Sequence, residues 1–184
     1  TQDRVIIVSN FTSTLNLLQR YCVRQKFPFL RLDGRTKADV RSKMVNEFNS
    51  DSGSDHLGKQ PFVFLLSSKS GGVGLNLIGA NRLILFDSDW NPATDRQAMA
   101  RIHRDGQLKP CFIYRLLLVG SMDEKIYQRQ ITKIGLSDSL MSNEAAKDHD
   151  VASSSDTFSQ EELRDVFGYH PNTCLLYTSP SPRD

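Results

Sequence analysis

Short apolar stretches alternate along this chain with segments whose apolar residues recur at the spacing of a helix. The stretches are apolar at most positions, and they span residues 5–9, 27–32, 62–67, 82–86 and 111–119. Strands that are covered by helices on both faces have this composition, because neither face meets water. The alternation therefore predicts an α/β fold built on a doubly wound parallel sheet, with about five strands and about five helices.

Two of the intervening segments begin with a signal for the start of a helix. TKAD, residues 36–39, has the spacing of a capping box and leads into an apolar stripe of Val40, Met44 and Phe48. SMDE, residues 121–124, repeats the signal later in the chain. Both segments are therefore predicted to open helices.

Changes in polarity divide the chain into four parts. Residues 1–136 form the predicted α/β lobe, and residues 137–157 form a Ser/Asp-rich, flexible linker. Residues 158–174 form a short helical segment, and residues 175–184, LLYTSPSPRD, fit no element and are predicted to be a non-native tail. The chain starts TQDRVIIVS, entering a strand without an initiator methionine, so we expect a piece of a longer protein.

Charge and cysteine content exclude some classes of protein. The net charge of +2 over 184 residues neither requires nor rules out a nucleic-acid partner. Residues 1–50 hold nine Lys/Arg against four Asp/Glu, whereas residues 143–170 hold two against seven, which predicts separate basic and acidic surfaces. The three cysteines form no C-x-x-C pair, which favours reduced thiols over a zinc site, and no apolar run reaches the roughly 18 residues of a membrane span.

One phosphate-loop pattern is a near miss. GSDHLGKQ, residues 53–60, matches G-x-x-x-x-G-K but has Gln60 where a magnesium-binding hydroxyl belongs. A phosphate loop also needs a preceding strand and a following helix, whereas Pro61 and a strand follow here. We interpret this stretch as a surface loop.

A glycine-rich stretch, SSKSGGVGLNL, follows the third predicted strand directly. Glycines at positions 71, 72 and 74 would let backbone N–H groups approach a phosphate or a ribose closely, before a predicted helical start. A tight turn in which the glycines serve only packing explains the pattern equally well. The next strand ends in DSDWN, where Trp90 either contacts a base or sugar or caps the core.

The stretch QAMARIHRDGQ predicts a helix with two different faces. Pro92 suits its first turn and Gly106 its C-terminal cap. At helical spacing, Gln97, Arg101 and Arg104 share one face, with apolar residues opposite. Such a pair of guanidiniums is either solvated or offered to an anion.

In this order the segments resemble the second RecA-like lobe of superfamily-two helicase-like ATPases of the Swi/Snf type. VIIVSNFTSTLNLL is similar to motif four and RLDG to the segment after it, SSKSGGVGLNL to motif five, and DWNPATDRQAMARIHRDGQ to motif six with its lead-in. The resemblance covers residues 5–130. Asp105 before Gly106, with EKIYQRQITKIGL and FSQEELRDVF, resembles the recombination-repair branch, of the Rad-fifty-four type, and its B paralogue.

The resemblance implies an ATP-dependent motor on double-stranded DNA that assists a RecA-type recombinase filament in homologous recombination and DNA repair. It implies ATP and Mg²⁺ bound mainly by a first RecA-like lobe of the same protein, no membrane partner, and a nuclear location.

The resemblance also implies a role for individual residues. The arginine fingers that reach the γ-phosphate would be Arg101 and Arg104, with Gln97 beside them. The residues that line the nucleotide would be Gly71, Gly72, Gly74 and Asn76. The residues that contact DNA would be Ser9, Asn10, Gly34, Arg35, Ser68 and Lys69 on the phosphates and Trp90 on the minor-groove side.

The sequence contains neither a Walker A loop nor an acidic metal-binding box. We therefore expect one of the two lobes of an ATP-dependent motor, which is inactive without the other lobe. Two alternatives remain: a non-catalytic module that binds DNA or protein, and a lobe of an RNA helicase. Intact Gln97, Arg101 and Arg104 argue against the first, and DWNP and RDGQ argue against the second.

Overall fold

A computed structural model describes residues 3–50, 60–70, 74–142 and 168. The strands are β1 Val5–Ser9, β2 Phe29–Leu32, β3 Val63–Ser67, β4 Arg82–Leu85 and β5 Phe112–Arg115. The helices are α1 Thr12–Gln25, α2 Ala38–Asn49, α3 Pro92–Met99 and α4 Met122–Ser142, and a single 3₁₀ turn spans Ser68–Ser70.

The five strands form one parallel sheet in the order β2-β3-β1-β4-β5. Val8 of β1 lies opposite Leu66 of β3 and Leu85 of β4, so the three strands end side by side. The order reverses at β1, because the chain moves to one side of it with β2 and to the other with β4. Loops that leave the carboxyl ends of strands at such a reversal are where open α/β sheets bind ligands.

Helices cover both faces of the sheet. Leu15 and Cys22 of α1 pack with Val63 and Leu65 of β3 on one face. Phe48 of α2 and Ala98 of α3 pack on the other, in a cluster whose remaining buried members are Ile6, Val8, Leu32, Phe64, Leu66, Leu77, Ala80, Leu83, Leu85 and Ile102. The doubly wound parallel α/β fold predicted from the sequence is therefore confirmed.

Several strands are shorter than predicted. β5 ends at Arg115 because its partner β4 ends at Leu85, which is paired with Arg115. The apolar run to residue 119 continues beyond that last pair, so the prediction of a longer strand was wrong. β2 begins at Phe29, after Lys26 ends α1 in a left-handed conformation with φ of 57° and Pro28 interrupts the backbone donors.

The predicted capping box of α2 is wrong, whereas that of α4 is confirmed in a shifted form. The N-cap of α2 is Lys37, and Thr36 Oγ1 accepts instead from the backbone N–H of Asp33 at 3.2 Å. At α4 the hydroxyl of Ser121 accepts from the backbone N–H of Asp123 at 3.2 Å. Glu124 Oε2 accepts from the backbone N–H of Gly120 at 2.7 Å, one residue earlier than in the usual box.

The stripe predicted on α2 is also only partly buried. Phe48 is fully buried and Met44 packs against the core, but Val40 is exposed. Val45 takes a place against the core instead.

The end of α2 is held by a buried arginine. The guanidinium of Arg4 donates to the backbone carbonyls of Phe48 and of Ser50, the latter at 3.2 Å. These carbonyls have no partner within their own helix, and a cation at a helix C-terminus is favourable. Arg4 therefore anchors α2 beside the start of β1.

The backbone divides into two compact units, residues 1–116 and 117–184. In the second unit α4 continues to Ser142, past residue 137 where the predicted linker begins. The predicted helix at residues 159–167, the rest of the predicted linker and the predicted tail lie outside the described residues, as does most of the loop at 53–60. Among the described residues no helix is both long and apolar enough to cross a membrane.

Candidate functional site

The carboxyl ends of three neighbouring strands bring four polar residues together. Ser9 and Asn10 end β1, Ser68 follows β3, and Asp87 follows β4. In the sheet these strands are adjacent, with β1 between the other two. Residues far apart in sequence therefore meet at the point where the strand order reverses.

Hydrogen bonds join these four residues. Asp87 Oδ1 accepts from the backbone N–H of Asn10 at 2.7 Å, and Asp87 Oδ2 accepts from the hydroxyl of Ser9. The hydroxyl of Ser68 donates to the side-chain carbonyl of Asn10. The predicted DNA-contact residues Ser9, Asn10 and Ser68 thus form one cluster, and its carboxylate was not identified from the sequence.

The loop after β2 adds exposed residues to the same edge of the sheet. Gly34 and Arg35 are exposed, and the backbone N–H of Arg35 donates to Asp33 Oδ1 at 3.0 Å. The guanidinium of Arg41 donates to the carbonyl of Thr36 at 2.8 Å and to that of Ser70 at 3.0 Å. Arg41 therefore ties the loop after β2 to the loop after β3.

Lys69 lies in the 3₁₀ turn between these loops. Its side chain is exposed, whereas Ser70, the next residue, is buried. The hydroxyl of Ser70 donates to the carbonyl of Ser67 at 2.9 Å. The turn thus buries Ser70 and leaves the side chain of Lys69 exposed to solvent.

Arg101 and Arg104 do not share a helical face, so that prediction was wrong. α3 ends at Met99, and the backbone N–H of Ile102 donates to the carbonyl of Met99 at 3.4 Å, a tighter i to i−3 contact. Both arginines therefore lie in the turns that follow the helix, whereas Gln97 is exposed on the helix itself.

The two arginines occupy different environments. Arg101 is only 8% exposed, and its Nη2 donates to the carbonyl of Ser68 at 3.2 Å. Burial lowers the pKa of its guanidinium from the ordinary value, because removal from water disfavours the charged form. Arg104 is exposed, and its Nη1 donates to the carbonyl of Gly74 at 3.2 Å.

Gln107 holds the arginine turns against residues 74–80, which we call the glycine-rich segment. Its side-chain amide nitrogen donates to the carbonyl of Ala80 at 2.8 Å and lies 3.2 Å from that of Ile78. The backbone N–H of Leu77 donates to the carbonyl of Arg101 at 3.0 Å. The two segments that are predicted to contact the nucleotide are therefore connected directly by hydrogen bonds.

Gly74 and Asn76 differ in what they present. Gly74 is exposed with φ of 95°, a conformation that a side chain would strain. The carbonyl of Asn76 accepts from Asn49 Nδ2 at 2.8 Å, while its side-chain oxygen is buried with no hydrogen-bond partner within the described residues. The helical start predicted here is wrong, since residues 74–81 form no helix; Gly71 and Gly72 lie outside the described residues.

Trp90 lies in the loop before α3 and is 43% exposed, which leaves part of its surface open to solvent. Asn91 is the N-cap of α3, and its side chain accepts from the backbone N–H of Ala93 at 3.0 Å. Pro92 occupies the first turn, as predicted. Buried Asp95 accepts from the backbone N–H of Asp89 at 3.2 Å, which fixes the loop that holds Trp90.

No three His, Cys, Asp or Glu side chains among the described residues come together as a possible metal site. Asp87, an acid beside the predicted contacts Ser9 and Asn10, uses both carboxylate oxygens on protein donors.

Sequence reasoning missed Asp87, Arg41 and a bracing role for Gln107. An acidic residue directly after a buried strand was a usable signal for Asp87. Arg41 had no such signal, because its acceptors are backbone carbonyls, and one of them, that of Ser70, is 29 positions away.

This fold and site define the class of the protein. It is a RecA-like α/β lobe with arginines and small polar residues at the carboxyl ends of its strands. Residues 1–106 match the family described as the helicase conserved C-terminal domain, and the chain belongs to that family.

Two similar proteins are named for DNA repair and recombination. The chain is 49% identical over 170 residues to "DNA repair and recombination protein RAD54" of Oryza sativa subsp. japonica, covering 92% of this chain and 16% of that protein. It is 50% identical over 171 residues to "DNA repair and recombination protein RAD54-like" of Drosophila pseudoobscura pseudoobscura, covering 92% of this chain and 20% of that protein. The chain thus spans a fifth or less of the length of these relatives.

A solved structure agrees with this assignment. The crystal structure of the C-terminal part of the Fun30 ATPase domain matches 70% of this chain and 40% of its own length, with a TM-score of 0.63 and 40% identity.

Proposed function

We propose that this chain is the second lobe of an ATP-dependent double-stranded DNA translocase acting in homologous recombination and DNA repair. The observation that supports it most is the hydrogen bond from Arg101 to the carbonyl of Ser68, which connects the arginine turns to the polar cluster at the strand ends. The names of the relatives support the choice of recombination and repair.

On the nucleotide side, Arg104 is the residue best placed to act as an arginine finger. Its guanidinium is exposed and lies on a turn braced by Gln107. Phosphoryl transfer depends on positioning and charge stabilisation, and a finger contributes on the order of 10³ to 10⁵ in rate. Arg101 and Gln97 complete this side, with Arg101 held more deeply by Ser68.

Gly74 and Asn76 would line the nucleotide beside these arginines, together with Gly71 and Gly72. Among the described residues no donor reaches the buried side-chain oxygen of Asn76, and this supports the role because an unsatisfied buried acceptor is costly. A ribose hydroxyl or a base amino group would supply the donor. ATP supplies the phosphoryl group, and the first lobe of the longer protein would hold most of it together with Mg²⁺.

On the DNA side, small polar and basic residues at the strand ends would contact the phosphate backbone. Hydroxyl, amide, backbone N–H and basic groups make such contacts without reading sequence, which suits a translocase. The residues proposed to contact DNA are Asn10, Gly34, Arg35, Ser68 and Lys69. Ser9, also predicted as a contact, is fully buried and its hydroxyl donates to Asp87, so it would support Asn10 instead. Trp90, partly exposed at the end of the β4 loop, would reach the minor-groove side.

The test is ATP turnover of the full-length protein with double-stranded DNA. Arg104→Ala is expected to lower the DNA-stimulated turnover at least about 100-fold while DNA binding persists. Arg96→Ala is the matched control, since it removes an exposed guanidinium from α3 of the same lobe. Near-normal turnover in Arg104→Ala would show that the finger assignment is wrong.

Two further outcomes distinguish the alternatives. Full-length protein that binds duplex DNA but never hydrolyses ATP would be a non-catalytic module. Stimulation by RNA rather than by duplex DNA would assign the chain to an RNA helicase. The lobe alone is expected to show no ATPase activity.

A RecA-type recombinase filament and a nuclear location belong to the same proposal. They are supported by relatives that are named for repair and recombination. Purified recombinase filaments are expected to raise the DNA-dependent ATPase rate of the full-length protein. An unchanged rate would show that the filament is not a partner of this activity.

A further inference from the structure

Asp87 is an acid in a place where an acid would ordinarily be unfavourable. It lies two residues after β4, beside the buried Ser9 and beside Asn10 and Ser68, and the last two are proposed to contact DNA phosphates. A carboxylate there repels phosphate unless its charge is used by the protein. In this structure the carboxylate is used as a hydrogen-bond acceptor by neighbouring residues.

Both oxygens of Asp87 accept hydrogen bonds from the end of β1. Oδ1 accepts from the backbone N–H of Asn10 at 2.7 Å, and Oδ2 accepts from the hydroxyl of Ser9. The Ser9 oxygen accepts in turn from the backbone N–H of Phe11 at 3.1 Å. Ionised acceptors make shorter and stronger hydrogen bonds than neutral ones, so this turn of backbone is held firmly.

The contacts continue from this turn to the arginines. The Asn10 side chain accepts from the hydroxyl of Ser68, and the carbonyl of Ser68 accepts from Arg101 Nη2 at 3.2 Å. A shift of the β1 end would therefore move Ser68, and through its carbonyl the position of Arg101. One connected set of hydrogen bonds spans the edge of three strands.

We propose that Asp87 is a positioning residue that couples DNA contact at the β1 and β3 ends to the arginine turn. This inference rests on the proposed function, because it assigns Asp87 a role in the DNA dependence of ATP hydrolysis. A phosphate that engages Asn10 or Ser68 pulls on a turn whose other support is Asp87. The carboxylate converts that contact into a defined position of the Ser68 carbonyl.

Two substitutions of Asp87 are expected to have different effects, because they leave different hydrogen-bonding groups. Asp87→Ala removes both acceptors and frees the turn. Asp87→Asn keeps one acceptor for the backbone N–H of Asn10 but places a donor against Ser9, whose hydroxyl must rotate to accept. The two variants remove the same charge, so a purely electrostatic role would make them alike.

The experiment measures ATP turnover of the full-length protein with and without duplex DNA, and the DNA concentration that gives half of the maximal stimulation. In Asp87→Ala the ratio of stimulated to basal turnover is expected to fall about tenfold or more, and in Asp87→Asn about threefold, because small displacements of positioned groups cost large factors in rate. Asp39→Ala, which removes an exposed carboxylate on α2, is expected to keep the wild-type ratio.

Several results would overturn the inference. An unchanged ratio in Asp87→Ala would do so, and so would equally tighter DNA binding in both Asp87 variants with normal stimulation, which would mark Asp87 as a repelling charge only. If Asp87→Ala does not fold, Asp87→Asn decides, and a wild-type ratio in that variant rejects the role. Wild-type protein without any stimulation by DNA would instead reject the proposed function itself.

Discussion

Gly79 lies where the end of α2 meets the segment that follows Gly74. A Cβ at this position would lie 2.4 Å from the carbonyl oxygen of Phe48 and 2.9 Å from the Cα of Asn49. Both atoms belong to backbone that Arg4 and Asn49 hold in place, so they cannot move aside cheaply. We expect Gly79→Ala to lower the free energy of unfolding by about 1–3 kcal/mol, measured by urea denaturation.

Gly34→Ala is the control for that measurement. A Cβ at Gly34 would meet nothing within 4 Å, so the same chemical change should alter the unfolding free energy by less than about 0.5 kcal/mol. Equal losses in both variants would show that the close approach to α2 does not set the cost, because the lower flexibility of the unfolded chain after Gly→Ala favours the folded state.

Individual candidate residues could be proposed from the sequence, but their environments could not be predicted. Arg101 and Arg104 stand in a motif whose residue types are specific. Their difference in burial depends on Ser68, which contacts Arg101 across 33 positions, and on Gly74, which contacts Arg104 across 30. No local pattern encodes those distances, and the same holds for the contact of Asp87 with Asn10.

At the scale of elements, the sheet could be predicted because all five strands lie in apolar runs. Their ends depend on partners. β5 stops at Arg115 where β4 runs out at Leu85, although the apolar run continues to residue 119. Pairing, which is not local, decides the length of a strand in such a run.

The end of α3 shows the same limit for a helix. Residues after Met99 are good helix formers, and nothing between Ala100 and Arg104 is a helix breaker. The helix nevertheless ends, because the carbonyl of Arg101 accepts from Leu77 N–H and Ile102 is drawn into the core. Tertiary contacts outweigh propensity here, and Gly106, with φ of 96°, closes a later turn instead.

Gln107 supplies a prediction about how these elements hold together. Its amide nitrogen donates to the carbonyl of Ala80 at 2.8 Å and so connects the arginine turns to the glycine-rich segment. Gln107→Leu keeps the approximate volume and removes the donor, which leaves a half-buried carbonyl unsatisfied. We expect a loss of about 1–3 kcal/mol in unfolding free energy and a lower ATP turnover of the full-length protein.

Gln25→Leu is the control for Gln107→Leu, because it makes the same change on an exposed residue at the end of α1. It should leave both the urea midpoint and the turnover close to wild type. A Gln107→Leu variant with wild-type stability and turnover would mean that the backbone bond between Leu77 and Arg101 suffices to join the two segments.

At the scale of the whole molecule, the loops of the sheet lie at its carboxyl edge, where the strands end, and at the opposite edge, where the strands begin. The loops after β1, β2, β3 and β4 leave from the carboxyl edge, where Lys69 and Arg35 are exposed. α1 runs from this edge back to the start of β2, so Arg24, near its end, lies towards the opposite edge. A DNA backbone that binds at the carboxyl edge should therefore sense Lys69 and not Arg24.

The salt dependence of DNA binding tests this division. Each neutralised phosphate releases counterions, so the slope of log K against log salt changes by about 0.9 for each phosphate contact on duplex DNA. Lys69→Ala in the full-length protein is expected to make the slope shallower by about that amount and to weaken binding alike on unrelated sequences. Arg24→Ala, which removes an equal charge, is expected to leave the slope unchanged. If the two variants change the slope equally, the protein senses only its total charge, and the carboxyl edge is not the DNA-binding surface.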